Sequence, residues 1–144
     1  MSDHYRKLEN MYLGAKIQHL AYPSTTIHIE KDTAEIGLEV EDKYFHALEA
    51  LHGSVYFKLL DDAAFFAASS AVHDVFILTT SFHINLYRPV KKGKLRAVGK
   101  LRFQSRNYLT AEASLFDERG REVASGTGSF AKTKNPLTPE MGYE

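Results

Sequence analysis

Hydrophobic spacing along this chain switches between a period near 3.6 and a period of 2, and the switches mark its elements. Tyr5, Leu8, Met11 and Tyr12 recur at helical spacing over residues 3–14; Ser2 or Asp3 can cap that helix and Gly14 can end it. Beyond Tyr22 and Pro23 the pattern alternates. Ile27 and Ile29, then Ala34, Ile36, Leu38 and Val40, flank a Lys31-Asp32 turn and predict a two-stranded hairpin. Residues 42–51 read as a loop or a helical turn. From Ser54 to about Val72 helical spacing returns, with Val55, Leu59 and Phe66 near one side and Tyr56, Leu60, Ala64 and Ala67 near another. A helix apolar almost all round belongs in a core, and its alanine-rich second half allows strands or another subunit to approach closely.

Four more strands are predicted. Residues 75–88 set Phe82, Ile84 and Leu86 against Ser81, His83, Asn85 and Tyr87. Residues 94–104 set Leu95, Ala97, Leu101 and Phe103 against Lys94, Arg96, Lys100 and Arg102, and residues 108–116 and 122–132 follow. The turns between them fall at 91–93, 105–107 and 117–120, and strands joined by turns this short are antiparallel neighbours. A lone apolar helix has to be covered, so the fold class is α+β: an antiparallel sheet of five or six strands wrapped around one long central helix. Residues 1–135 form a single domain, and 136–144, with two prolines and no period, form a flexible tail.

Composition changes this picture only by narrowing partners. The 18 Lys and Arg balance the 18 Asp and Glu, so charge favours neither nucleic acid nor an anionic membrane. Cysteine is absent, which removes disulfides, thiolate nucleophiles and cysteine-based zinc sites. No secretory pattern opens the sequence and no apolar run is long enough to cross a membrane, so a cytoplasmic location is expected. The seven histidines lack metal-ligand spacing, and no metal is expected.

The candidate chemistry lies where the pattern contradicts itself. Asp61 and Asp62 stand in the middle of the most core-like segment, although a buried, unpaired carboxylate costs several kcal/mol or takes up a proton. The stretch "HGSVYFKLLDDAAFFAA" at 52–68, followed by "TTSFHINLYRP" and "DERGREVASGTGSFA", resembles the hotdog-fold acyl-CoA thioesterases of the phenylacetate-pathway, or PaaI-like, type. The likeness covers roughly residues 46–131. It implies a hotdog fold, hydrolysis of small to medium acyl-CoA thioesters, aromatic ones included, and a homodimer or homotetramer with its site at the subunit interface. Coenzyme A would enter as part of the substrate, with no cofactor.

Carried over residue by residue, the family's acid falls on Asp61, its carbonyl-polarising backbone N–H on Gly53, and a hydroxyl found in some members on Thr79. The chain departs from the pattern at Ser54, where a second glycine is usual, at His46, where asparagine is frequent, and at Asp62, where threonine or asparagine is frequent. The chemistry is consistent with those roles. A helix N-terminus offers free N–H groups and about half a positive charge to an oxyanion. Asp61 suits a general base on water, or a nucleophile. Gly53 and Asp61 are about 12 Å apart along one helix at 1.5 Å per residue, so a site using both draws them from different subunits.

Each remaining candidate has two readings. His52 orients the loop or bonds the substrate carbonyl, or only caps the helix; His46 positions water or substrate, or is solvated; Thr79 touches the attacking water, or bonds backbone. Asp62 contacts substrate or pairs with Lys58 four residues earlier. Arg88, Arg106 and Asn107 are candidates for the coenzyme A phosphates, whereas the row Lys94, Arg96, Lys100 and Arg102 reads as a solvated outer face. Two rival functions remain: a catalytically weak acyl-CoA or lipid-binding oligomer, and an acyl-CoA hydratase or dehydratase.

Overall fold

The computed structural model describes residues 2–144. Two helices, α1 (Ser2–Gly14) and α2 (Lys16–Ala21), precede the hairpin of β1 (Thr26–Glu30) and β2 (Thr33–Glu39). A short 3-10 turn at Asp42–Tyr44 leads to the long helix α3 (Gly53–Ser69). Strands β3 (Val75–Leu86), β4 (Lys94–Gln104), β5 (Tyr108–Phe116) and β6 (Glu122–Pro136) complete one six-stranded antiparallel sheet in the order β1-β2-β4-β5-β6-β3. α3 packs against β2 to β6, and Leu59, Leu60, Ala63, Ala64, Ala67 and Ala68 are buried on it. The alanines let the sheet come close: a Cβ on Gly99 of β4 would meet the Ala63 carbonyl. The expected alanine-rich approach surface is thus used within one chain.

The order of strands departs from the expectation at one link. β3 and β4 are consecutive but not neighbours; β3 pairs with β6 at the sheet's edge, while β4 lies between β2 and β5. Their connection, residues 87–93, crosses the start of α3, where Leu51 N–H donates to the Val90 carbonyl, and ends at Gly93 with φ of 98°. That positive φ is open to glycine and lets Val40 N–H reach the Gly93 carbonyl. Phe103, expected in the core face of β4, is 56% exposed, because a register shift between Leu101 and Phe103 turns the strand's end over.

α2 carries no inward apolar stripe: its buried residue is Gln18, while Ile17 and Leu20 face outward. α1 keeps its expected face, with Leu8, Met11 and Tyr12 buried and the Tyr12 ring edge-on to Phe66 of α3. β6 runs four residues past its expected end at Lys132. Residues 136–144, for which the sequence predicts a flexible tail, are bonded along their length. Leu137 N–H donates to Asp74, Asn10 donates to the Glu144 carbonyl, and the Tyr143 hydroxyl is 2.7 Å from His4 Nδ1. His4 Nε2 lies 2.9 Å from the Ser69 carbonyl, so one buried histidine ties both chain ends to the end of α3. No helix among the described residues is long and apolar enough to cross a membrane.

Candidate active site

Asp61 lies half-buried in the middle of α3 and accepts a hydrogen bond of 2.9 Å from the Thr79 hydroxyl of β3. A bulge makes that contact. Beyond it Phe82 faces inward onto Phe57 of α3, and strict alternation from Phe82 would point Thr79 outward. The register with β6 shifts between Thr79 and Ser81, so Ile77 and Thr79 also face the helix. Burial pushes the Asp61 carboxyl up from its ordinary range to about 6; the Thr79 bond pulls it down, the Asp62 charge raises it and Lys58 lowers it. A cavity of about 870 Å³ opens beside it, lined by Met11, Phe57, Phe65, Phe76 and Leu78 among others.

Asp62 lines the same cavity but is occupied. Its Oδ2 takes a 2.7 Å bond from the Lys58 ammonium and another of 2.7 Å from the Tyr12 hydroxyl. The ion-pair reading of Asp62 therefore describes its contacts. Burial and the Asp62 charge hold the Tyr12 phenol protonated, well above its ordinary value. Tyr12 carries no sequence signal as a site residue, because its spacing already accounts for it as core; the Lys58–Asp62 spacing was the available clue.

Gly53, His52, Ser54, His46 and Arg88 gather at the N-terminus of α3. Gly53 is its first residue, and its N–H makes no hydrogen bond among the described residues. Nothing but Leu86, at 3.7 Å, would approach a Cβ there, so the backbone is open to a ligand. His52 is the cap: its Nδ1 accepts the Ser54 N–H at 3.0 Å and lies 2.8 Å from the Ser54 hydroxyl. Ser54 thus supports the cap. A second cavity of about 400 Å³ joins Gly53 to His46, Leu86 and Arg88, and His46 Nδ1 accepts from Leu48 N–H. Arg106 and Asn107 sit at the β4–β5 turn and line neither cavity. Arg96 and Arg102 meet exposed Glu35 and Glu112 at 3.5 and 3.7 Å, as on a solvated outer face. In one chain, then, Asp61 and Thr79 open into one cavity and Gly53 with His46 and Arg88 into another.

A family model for the thioesterase superfamily matches residues 48–124. Among solved structures, the E. coli PaaI protein from the phenylacetic acid degradation operon superposes with a TM-score of 0.85 at 18% identity, over 95% of this chain and 98% of that one. A thioesterase from Haemophilus influenzae gives 0.77 at 18%, covering 90% of each chain. A conserved protein from Pseudomonas aeruginosa gives 0.75 at 25%, covering 83% of this chain and 94% of its own. A search of curated proteins finds no match. The sheet wrapped on α3 is the hotdog arrangement these structures share.

Proposed function

Because this chain belongs to the thioesterase superfamily, we propose that it is an acyl-CoA thioesterase acting on small to medium acyl groups, aromatic ones included. The observation that carries this reading is a half-buried carboxyl with a raised pKa, held by Thr79 on the wall of an apolar cavity. Its volume, about 870 Å³, is within the usual range of small-molecule sites, and its aromatic lining suits an acyl group. Asp61 takes a proton from water as the water oxygen bonds to the thioester carbonyl carbon. The oxyanion accepts the free Gly53 N–H, a contact worth about 3 kcal/mol of barrier for one preorganised donor. Collapse breaks the C–S bond, and the proton passes to the departing thiolate. In the direct alternative, an Asp61 oxygen attacks, the thiolate leaves, and water hydrolyses the resulting anhydride.

The two halves meet when two copies pair. β3 is a twelve-residue edge strand with Leu78 and Leu86 exposed, the kind of edge a second copy can cover. Antiparallel pairing of two such edges centred between Phe82 and His83 sets Thr79 of one copy opposite Leu86 of the other. Asp61 bonds the first and Gly53 adjoins the second, so each pair of copies forms two complete sites. Arg88, exposed at the mouth of the Gly53 cavity, is the proposed partner of a coenzyme A phosphate.

Release of free thiol from a panel of acyl-CoAs tests the reading. Asp61→Asn is expected to lose at least about a hundredfold in rate, the scale of one general base. Absence of turnover by the wild type on every substrate would leave a binding protein instead.

A further inference from the structure

Lys58 has two acidic partners within reach of its own helix, Asp61 at i+3 and Asp62 at i+4. We infer that Tyr12, Gln18 and Asp62 position the Lys58 ammonium away from direct contact with Asp61, and so keep the reactive carboxylate free of a bonded cation. An ammonium has three N–H donors. Here three acceptors lie in range: Asp62 Oδ2 at 2.7 Å, the Tyr12 hydroxyl at 3.2 Å and Gln18 Oε1 at 3.2 Å. The Tyr12 and Tyr22 rings hold the same charge from their faces, at 5.1 and 4.6 Å. No donor remains for Asp61, whose bonded partner is the neutral Thr79 hydroxyl.

The arrangement is anchored from outside the segment the superfamily model matches. Tyr12 lies on α1, Gln18 on α2 and Tyr22 just beyond it, all upstream of residue 48. The side chains of Lys58 and Asp62 are 14% and 19% exposed, so solvent screens their choice of partner weakly. The ionisable groups sharing the cavity with Asp61 are Lys58, Asp62, Tyr12 and Tyr22, and β3 adds only the Thr79 hydroxyl. Gln18 explains α2: its amide is buried because it has a cation to bond. These residues act through Lys58 on Asp61; they are positioning residues. The inference rests on the reading of Asp61 as base or nucleophile.

The test follows Asp61 in three variants and one double variant by two readouts, the acid limb of kcat/KM from thiol release and the carboxyl ¹³C titration of aspartate-labelled protein. Asp62→Asn keeps the shape but releases Lys58 to Asp61, and the Asp61 titration midpoint is expected to fall by about one pH unit or more, as for a carboxylate gaining a cation. The rate above the limb falls with it. Lys58→Met is expected to move the titration upward, and Lys58→Met/Asp62→Asn to return it near the wild-type position. Tyr12→Phe, which removes one hydroxyl and leaves the ring, moves it in the same direction as Asp62→Asn by less. Loss of the Asp62 charge lowers the midpoint by itself, so the uncharged change Tyr12→Phe decides: an unmoved titration there, or in Asp62→Asn, or a double variant that tracks Asp62→Asn, overturns the inference. If Asp61→Asn keeps full activity while the NMR shifts appear, the diversion of Lys58 stands and the assignment of Asp61 as the reacting group falls.

Discussion

A carboxyl that burial pushes from 3.8 up to about 6 is held protonated by the fold over a range in which the unfolded chain has already released its proton. Between those values the folded state binds more protons than the unfolded one, so stability falls as pH rises from about 4 to 6 and stays lowered above. Asp61→Asn is therefore expected to raise the melting temperature at pH 8. The gain is the equivalent of about 2 kcal/mol, at about 1.4 kcal/mol for each tenfold change in proton affinity, less some relief from partial exposure. Thermal scans at pH 8 and pH 4 check this; the gain should shrink toward zero at the lower pH. The same burial makes Asp61 a stronger base than an ordinary carboxylate while leaving it mostly ionised at pH 7. The acid limb of kcat/KM should accordingly lie near pH 6 rather than near 4. Asp61 was legible as a charge in an apolar segment. Its bond to Thr79 was not, since a bulge that changes which residues face inward leaves no mark in a period of two.

At the scale of elements, the periodic segments were legible and the aperiodic ones were not. α3 and every strand follow from apolar spacing, because each buries one face or nearly all of itself. α2 escapes that test: it buries an amide and exposes its isoleucine and leucine, so its hydrophobic pattern runs opposite to its packing. The position of β3 also escaped, since local turns cannot report a crossover. Close packing of α3 on β4 yields a direct contrast. Gly99→Val puts a branched side chain against the Ala63 backbone and should cost about 1–3 kcal/mol in urea unfolding, as overpacking does. Gly14→Ala, at the last residue of α1 where nothing lies within 4 Å, should instead gain about 0.4–1 kcal/mol by restricting the unfolded chain.

For the whole molecule, the separation of Asp61 from Gly53 along one helix was readable from the residue count, and the two cavities agree with it. The proposed contacts between copies were not readable, because they depend on how an edge strand meets its own image. Gly53→Pro offers a clean probe. Gly53 is the first helical residue, where proline is tolerated, and His52 before it is already extended at φ −66° and ψ 144°, as proline requires. The variant removes the proposed oxyanion donor and should be as inactive as Asp61→Asn. Subunits of the two, dissociated and mixed, should regain roughly a quarter of wild-type activity, since half of the random pairs of a two-fold dimer hold one intact site. Unrestored activity after confirmed exchange would place both groups in one subunit's site.

The cavity's walls have a further consequence. Asp61 and Thr79 lie within the superfamily's shared segment, as do Phe57, Phe65, Phe76 and Leu78 of the wall, but Met11, Ile17, Asn135 and Met141, which line the rim of the same space, lie outside it. Part of the wall that would meet an acyl group is thus encoded apart from Asp61 and Thr79. Grafting onto residues 48–124 the two ends of a relative, with Tyr12, Gln18 and Tyr22 kept in place around Lys58, should shift the choice of acyl group toward that relative's, so new specificities are open to this chain without a change in α3.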